Sequence, residues 1–409
     1  MLRSLYSGIS GLRSHQTMLD VTGNNIANVN TTGYKATAVQ FQDTLSQLTQ
    51  GATAPGANNG GGNPAQVGLG VLVSGITTNF TQGSAQSTGR ATDMMISGDG
   101  YFVTKQGTQT TYTRAGAFDL DAEGRLVTTD GKIVQGWTGV NGVINTGGAV
   151  GNVQLPDGAI APAVATSQAT VGGNLPSETL PADPAATPPR AAGTFVRDMD
   201  VYDANGNATV VPLTFTRTAD ASGVANGWSV SAPGAATVQL TFTDGRQDTG
   251  NPGALTVTTA AGSTVSVDLT ALTSYAGVST ASVTGQNGRA AGTLESFSIS
   301  KDGTIIGSFT NGAKQSLARI AVATFTNPAG LEKAGNSGYT ATVNSGNPVL
   351  GGPGDPGMGN AIAGSLEMSN VDLSQEFTNL IVAQRGFQAN ARIITTSDEV
   401  LQELTNLKR

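Results

Sequence analysis

The chain opens with MLRSLYSGISGLRSHQTMLDVTGNNIANVNTTG (residues 1–33), and the spacing of apolar residues in this stretch decides how both ends of the protein are read. The steps alternate between three and four residues, with Gln16 and Gly23 in the slots that lack a large apolar side chain. This spacing is typical of a helix that packs along one stripe against another helix. The Asn-rich stretch 24–30 forms helices poorly, so we expect the helix to end near Gly33. The apolar positions are Leu5, Ile9, Leu12, Leu19 and Ile26.

The C-terminal segment has the same rhythm, and we predict a long amphipathic helix within residues 365–409. Asn370 or Asp372 could cap its first turn, because short polar side chains accept hydrogen bonds from the free backbone N–H groups there. Its apolar positions are Leu373, Phe377, Leu380, Phe387, Ala391, Ile394, Leu401 and Leu404. We call these residues, together with the apolar positions of the first helix, the predicted seam.

The two helices are expected to serve assembly, on energetic grounds. Burying the large apolar side chains of such a helix stabilises it by roughly 1.5–3 kcal/mol each. Ordering the segment costs about 1.5 kcal/mol per residue in conformational entropy, so the two sums are similar. One helix, or one antiparallel pair, is therefore marginal alone, and neighbouring copies could supply the missing burial. An intramolecular helical hairpin packed on its own β domain is the competing interpretation.

Between the helices the sequence has the pattern of short β-strands separated by Asn-Gly and Asp-Gly turns. Two segments match position by position: FDLDAEGRLV (residues 118–127) and FSISKDGTII (residues 297–306). Both predict hairpins with an acidic-Gly turn and the same inward-facing apolar set. Two like hairpins so far apart in the chain indicate one β domain interrupted by another.

The predicted fold class is a multidomain α+β protein. Its terminal amphipathic helices pair as a coiled-coil-like inner domain, and its mainly-β outer domains are inserted one in the other. Trp137 and Trp228 are expected in their cores. The predicted domains are the N-terminal helix (1–33), a linker region (34–68), a discontinuous β domain (69–145 and 285–346), an inserted β domain (146–284), a second linker (347–364) and the C-terminal helix (365–409).

The composition excludes several classes of function. The net charge of −7 argues against a nucleic-acid partner, and no apolar run is long enough for membrane insertion. The absence of cysteine removes disulfides and thiolate chemistry, and His15 is the only histidine. We expect His15 to be a solvent-facing or seam-edge helix residue. The sequence therefore predicts no catalytic residue, no metal site and no cofactor-binding site, and hence no enzyme.

The strongest metal candidate is the acidic stretch from Asp119 to Asp130. Asp119, Asp121, Glu123 and Gly124, followed by Asp130, are similar in spacing to an EF-hand calcium loop. An EF-hand needs flanking helices, whereas these flanks alternate as strands do. A hairpin turn is the better interpretation, and calcium binding stays open.

Motifs at both ends resemble those of the bacterial flagellar rod–hook family. The N-terminal motif runs from Ser4 to Leu12 and continues through NNIANVNTTGYK (residues 24–35). The C-terminal motif comprises GSLEMSNVDL (residues 364–373) and QRGFQANA (residues 384–391). Phe387 stands where many relatives show Tyr. The family-motif residues are Asn24, Asn25, Ala27, Asn28, Gly33, Tyr34, Lys35, Ser369, Asn370, Val371, Asp372, Leu373, Gln384 and Arg385.

Within that family, segments such as ISGDGYF (residues 96–102) and FTNPAGL (residues 325–331) are similar to hook-type members. The resemblance implies a structural subunit of a flexible tube that acts as a universal joint outside the cell. It implies export through the flagellar type III apparatus, which fits an N-terminus without the apolar core of a secretory signal. The implied partners are further copies of the chain, the distal rod, the hook cap, the hook–filament junction protein and the export apparatus.

Three alternatives stay open at the level of sequence. A distal rod protein belongs to the same family, but such proteins usually lack a large inserted domain. A secreted adhesin-like or glycan-binding β protein would explain the Thr- and Gly-rich strands but not the helical ends. An extracellular enzyme would need a catalytic constellation that the sequence does not display.

Overall fold

A computed structural model describes residues 2–56, 60–140, 142–155, 158–219, 227–259 and 262–406. It divides the chain into two compact units. The first unit comprises Met1–Asp157, Phe297–Ile306 and Ser316–Arg409, and the second comprises Gly158–Ser296 and Gly307–Gln315. The protein is β-rich and multidomain, with a helix at each end, as the sequence predicts. The insertion of one β domain into another stays a prediction.

The elements of the N-terminal part are one helix and thirteen strands. They are α1 (Leu2–Ala27), β1 (Thr37–Asp43), β2 (Ser46–Gln50), β3 (Ala65–Gly68), β4 (Val71–Thr78), β5 (Ala85–Ser87), β6 (Met94–Ser97), β7 (Tyr101–Gln106), β8 (Gln109–Thr113), β9 (Phe118–Leu120), β10 (Leu126–Thr128), β11 (Ile133–Val140), β12 (Val143–Ile144) and β13 (Gly151–Asn152).

The middle strands are β14 (Ile160–Ala161), β15 (Gln168–Asn174), β16 (Thr194–Tyr202), β17 (Ala208–Thr218), β18 (Gly227–Ser231), β19 (Val238–Thr243), β20 (Arg246–Gln247), β21 (Ala254–Thr258), β22 (Thr264–Thr273), β23 (Ser282–Gln286) and β24 (Gly292–Ile299). The C-terminal elements are β25 (Thr304–Phe309), β26 (Lys314–Ile320), β27 (Val322–Thr324), a short 3₁₀ helix (Pro328–Gly330), β28 (Glu332–Gly335), β29 (Gly338–Thr340), β30 (Val349–Gly351), β31 (Asn360–Ala363), β32 (Ser365–Glu367) and α2 (Leu373–Asn406).

Both helices are shorter than predicted at their inner ends. Helix α1 ends at Ala27, and the following turns close on the Asn-rich stretch, with the N–H of Asn28 donating to the carbonyl of Asn25. Helix α2 begins at Leu373 rather than near residue 365, because Ser365–Glu367 pairs with β5 as a strand. Asp372 caps α2: its Oδ1 accepts a 2.8 Å hydrogen bond from the N–H of Ser374, which confirms one of the two predicted caps.

The first unit is organised around strand β7. Residues Tyr101–Thr104 of this strand are all buried, because side chains on both of its faces meet a core. Phe102 packs in a cluster with Phe118, Leu126 and Ile305, while Tyr101 belongs to an aromatic cluster on the other face. Antiparallel pairing joins β11 to β26 and β7, β7 to β8, β8 to β29 and β29 to β28. Trp137 is 5% exposed, as expected of a core residue.

The second unit contains two sheets that share one core. Their strand orders are β16-β17-β18-β19-β20 and β21-β22-β15-β23. Alternate residues of β17 and β22 are buried, so each strand turns one face inward. Trp228 is fully buried among them, which confirms its predicted core position.

The matched segments do form like hairpins. In the first, the N–H of Asp121 donates to the carbonyl of Arg125 and Gly124 closes the turn at φ 72°. In the second, Ser300 donates to Thr304 and Gly303 has φ 74°. A positive φ at this position suits glycine, which explains why both segments have Gly there. The inward-facing sets agree except at Leu120, which is 41% exposed.

The acidic stretch is occupied by ion pairs within the chain. Asp121 and Glu123 pair with Arg125 at 2.7 and 2.9 Å, Asp130 pairs with Lys132 at 2.9 Å, and Asp119 pairs with Arg90. These contacts and the strand pairing of β9 with β10 confirm the hairpin interpretation.

The two segments predicted as linkers contain strands. In residues 34–68, β1 pairs with β4 and β2 with β3, forming a two-stranded ribbon. In residues 347–364, β30 pairs with β27 and β31 with β6. Glycine-rich composition favoured a linker in both segments. The partners of β1, β30 and β31 lie outside these segments, and only β2 and β3 pair with each other inside one.

Candidate assembly site

The helices α1 and α2 lie antiparallel within one chain. Their contacts keep one register along the whole length of α1, from its first turn to its last. The pairs in contact are Ser4 with Ser397, Gly8 with Ile393 and Ile394, Gly11 with Asn390, His15 with Gly386, and Asn25 with Glu376. The intramolecular helical hairpin is therefore present in the single chain.

Small and polar residues form the contact line between the helices. Gly8, Gly11, Ser14, Thr22 and Asn25 are buried on α1, and Ala383 is fully buried on α2. A Cβ at Gly11 would lie 2.7 Å from Oδ1 of Asn390, so the helices approach too closely there for a larger side chain. His15 is half-buried on this line, which excludes the solvent-facing placement, and its Nδ1 is buried without a hydrogen-bond partner.

The predicted seam is largely distinct from this contact line, but the two share Ile394, which contacts Gly8. Elsewhere on both helices, seam residues follow contact residues by one position, as Ile9 follows Gly8 and Phe387 follows Gly386. One residue turns the helix by about 100°. Because the helices are antiparallel, the two rotations have opposite senses when viewed from one end, and both stripes reach the same side of the pair. The predicted seam thus forms one face two helices wide, which we call the apolar face.

The apolar face is partly exposed in the single chain. Ile9, Leu373 and Phe377 are 39%, 40% and 51% exposed. The side chain of Leu404 lies outside the described part of the chain. The remaining members are half-buried: Leu5, Leu12, Leu19, Ile26, Leu380, Phe387, Ala391, Ile394 and Leu401.

The β1–β4 ribbon contacts α1. The N–H of Val71 donates a 3.3 Å hydrogen bond to Oγ of Ser10, and the rings of His15 and Phe41 lie 6.0 Å apart. A cavity of about 360 Å³ opens between α1 and β4, lined by Tyr6, Ile9, Ser10, Arg13, Ser14, Thr17, Val71, Leu72 and Val73.

Asn25 ties the end of α1 to the ribbon and to α2. Its amide nitrogen donates to the carbonyl of Thr37 at 2.7 Å and to the carboxylate of Glu376 at 3.0 Å, while its Oδ1 accepts from the N–H of Thr37. The hydroxyl of Tyr34 donates to Asn24 at 2.7 Å. Burial raises the pKa of Tyr34, so this hydroxyl remains a donor at neutral pH.

A buried charge cluster lies beside the inner ends of the helices. The ammonium of Lys35 contacts Oε1 of Glu367 at 2.5 Å and the carbonyl of Thr81 at 2.7 Å. Oε1 of Glu367 also accepts from the N–H of Gly83 at 2.9 Å, and its Oε2 lies 3.4 Å from Nη1 of Arg114. Burial lowers the pKa of Lys35, and the hydrogen bond to Glu367 opposes that shift.

Asn370 and Gly33 lie beside this charge cluster. We call the cluster and these two residues, at the inner ends of the helices, the junction. Oδ1 of Asn370 accepts from the N–H of Ala36 at 2.8 Å, and its amide nitrogen donates to the carbonyl of Asn79 at 2.9 Å. The N–H of Gly33 donates to the carbonyl of Glu367 at 2.8 Å, with φ 67°. The structure therefore brings Asn24, Asn25, Gly33, Tyr34, Lys35 and Asn370 together.

Other motif residues lie apart from this junction. Ala27, Gln384 and Arg385 are exposed, Asn28 bonds back to Asn24, and Ser369 accepts from the N–H of Val371. Sequence reasoning missed Glu367, Arg114 and Gly83 as site residues. For Glu367 and Arg114 the sequence did contain a clue: few residues of the chain are charged, and both of these stand between uncharged neighbours.

The described residues contain neither a cluster of metal ligands nor a membrane-spanning helix. Among them no group of three or more His, Asp or Glu side chains could hold a metal ion. No helix in this part of the chain is long and apolar enough to cross a membrane.

A pair of terminal helices with a partly exposed apolar face, attached to β-rich structure, is typical of a structural subunit. Four family models match the chain: "Flagella basal body rod protein" (residues 5–35), "Flagellar hook protein FlgE/F/G D1 domain" (95–172), "Flagellar basal body protein FlaE D2 domain" (174–259) and "Flagellar basal body rod FlgEFG protein C-terminal" (362–407). The flagellar hook protein FlgE of Borreliella burgdorferi is 40% identical over 100% of both chains. The chain belongs to the flagellar hook protein family.

Two further proteins are similar to this chain. The flagellar basal-body rod protein FlgG of Bacillus subtilis is 34% identical over 100% of both chains. The solved structure of the Helicobacter pylori flagellar hook protein FlgE2 aligns with a TM-score of 0.48 and 15% identity, covering 69% of this chain and 100% of that one.

Proposed function

We propose that this chain is the structural subunit of the flagellar hook and that it polymerises through its apolar face. The observation that carries the proposal is the offset between the two rows of each helix. The small residues of the contact line are used within the chain, and the large apolar residues one position later stay partly exposed. A subunit that pairs its own helices and still exposes Phe377, Leu373 and Ile9 has apolar surface available for another copy.

The energetics favour a polymer. Completing the burial of a half-exposed Leu, Ile or Phe adds on the order of 1 kcal/mol. Summed over the apolar face of each subunit, this burial favours association, because the helices are already paired within the chain and need little further ordering. Helix α2 also exposes Ile381, Val382, Ile393 and Val400, by 42–53%, so a second neighbour has surface to contact.

The arrangement of the chain in the polymer follows from these contacts. We infer that the helix pairs form a coiled-coil-like inner domain lining the tube and that the β-rich units lie outside, one inserted in the other. We place the tube outside the cell, between the distal rod and the hook–filament junction protein. Assembly under the hook cap and export through the flagellar export apparatus complete the proposal, and no step in it requires catalysis.

A rod subunit is the alternative, supported by the similarity to FlgG of Bacillus subtilis. Hook and rod subunits both form tubes, but a hook must bend, whereas a rod must stay straight. Electron microscopy of tubes grown from the purified chain separates the two, because curved or supercoiled tubes support the hook and uniformly straight tubes support the rod. A chain that forms no tubes under any assembly condition contradicts both.

Substitutions on α2 test which surface drives assembly. Leu380→Asp places a charge on the apolar face, and burying an unpaired charge costs several kcal/mol. Gln388→Asp makes the same carboxylate at an exposed position of the same helix. We expect tubes from Gln388→Asp and none from Leu380→Asp, with equal helix content in both free subunits. Tubes from Leu380→Asp would remove the apolar face from the assembly contact.

A further inference from the structure

The cluster of Glu367, Lys35 and Arg114 joins three segments that are distant in sequence. Lys35 follows α1 and the Asn-rich turn, Arg114 follows β8, and Glu367 ends β32 just before α2. The side chains of Lys35 and Glu367 are 1% and 0% exposed, and that of Arg114 is 5% exposed. The cluster therefore lies where both connections to the helix pair meet the β-rich part of the first unit.

A buried ion cluster of this kind is a poor source of stability. Removing charges from water costs several kcal/mol per ion, and apolar replacements of similar volume are often neutral or stabilising. Two cations share one carboxylate here, so one positive charge remains uncompensated within the cluster. Such a cluster needs a reason other than stability.

The geometry gives that reason. Glu367, at the start of the connection to α2, is bound from the connection of α1 and from the β-rich part at once. From the connection of α1, Lys35 binds its carboxylate and the N–H of Gly33 binds its carbonyl. From the β-rich part, the N–H of Gly83 binds its carboxylate. Glycine is required at two of these contacts. A Cβ at Gly83 would collide with the carbonyl oxygen of Met368, and one at Gly33 with the backbone of Ala115. Each bond is directional, so together they permit one placement of the two connections.

We propose that Glu367 is a positioning residue for assembly: it fastens the connections of α1 and α2 to the β-rich part of the first unit, so that every copy presents its apolar face in the same orientation. The inference rests on the proposed function. The proposal predicts that loss of the carboxylate affects only the junction: its hydrogen bonds open more often, while the cores on either side stay folded.

Glu367→Gln tests this, because the amide keeps an acceptor for Gly83 and removes the charge that binds Lys35 and Arg114. Glu332→Gln, at an exposed glutamate of the same unit, is the matched control. Hydrogen exchange of the full-length free subunit is measured at the junction amides of Gly33, Ala36 and Met368 and at the core amides of Val103 and Ile320. We expect at least 100-fold faster exchange at the junction in Glu367→Gln, unchanged exchange in the cores, and tubes that are irregular or absent.

A second variant separates linkage from charge. Glu367→Gln with Lys35→Met has the same net charge in the cluster as the wild type but lacks the cross-link, so we expect its junction to remain fast. Wild-type protection of the junction in either variant would overturn the proposal. So would equal acceleration of junction and core amides, which would make Glu367 a residue of global stability. Wild-type chains that fail to form tubes would instead contradict the proposed function, whatever the exchange pattern.

Discussion

Gly386 provides the sharpest test of the close contact between α1 and α2. A Cβ on Gly386 would lie 2.5 Å from Cε1 and Nε2 and 2.8 Å from Nδ1 of His15. The imidazole ring cannot bend away as a flexible chain end would, so Gly386→Ala must separate the helices or turn the ring. Overpacking of this kind costs about 1–3 kcal/mol.

The matched control is Gly23→Ala, on α1, where a Cβ would meet nothing within 4 Å. Alanine is favoured over glycine in a helix by about 0.8–1.0 kcal/mol. We therefore expect Gly23→Ala to raise the free energy of unfolding of the helix pair by about 1 kcal/mol. Gly386→Ala gains the same helix propensity but also has the clash, so its free energy of unfolding should be about 1–3 kcal/mol lower than that of Gly23→Ala.

Urea unfolding of the free subunit, followed by circular dichroism at the helix band, measures both values. A double-mutant cycle with His15→Ala completes the test, since removal of the ring should make Gly386→Ala as favourable as Gly23→Ala. Two results would refute the reasoning. One is a gain from Gly386→Ala alone that equals the gain from Gly23→Ala, and the other is strict additivity of Gly386→Ala and His15→Ala.

Three further outcomes are expected. Gly33→Ala should destabilise the first unit more than Gly107→Ala does, as measured by thermal unfolding, because both glycines have positive φ (67° and 59°) but only Gly33 is crowded by backbone; equal losses would contradict the crowding. Hydrogen bonds from the Asn207 side chain and N–H lower the pKa of Asp203 below its ordinary value, so the ionised carboxylate stabilises the fold above the unfolded pKa near 3.8 and this stabilisation is lost as pH falls through the folded pKa. An NMR titration of Asn207→Ala should show a higher pKa for Asp203, and an unchanged pKa would disprove the cause. Ile160 pairs with Thr293, so the two ends of the segment between them are close together and a short Gly-Ser linker can replace residues 161–292. Electron microscopy should then show tubes that differ only in curvature, and failure to polymerise would show that this segment is needed for assembly.

The local patterns of the sequence predicted much of the fold. The alternation of three- and four-residue steps identified both helices, since that spacing follows from helix geometry alone. The paired hairpins at 118–127 and 297–306 were also readable, because an acidic-Gly turn between alternating apolar residues has one common solution. Both tryptophans were placed in cores for the same reason: large apolar side chains are buried where a core exists.

The ends of the helices and the strands within the predicted linkers were harder to predict from the sequence. Residues 365–367 were predicted to lie within the C-terminal helix segment, yet they form a strand because β5 is available as a partner. Strands within residues 37–50 pair with strands within residues 65–78. In each instance the deciding hydrogen bonds come from a distant segment, which no local window contains.

The candidate site divides in the same way. Sequence alone determined which residues are apolar and helical, and therefore that a broad apolar face exists at the ends of the chain. Only the tertiary structure decided that α1 and α2 meet through Gly8, Gly11 and Gly386, one position away from that face. The physical reason is steric. Periodicity identifies a stripe that can be buried, but the closest approach of two helices is governed by side-chain volume at facing positions, and facing positions exist only once both helices are in place.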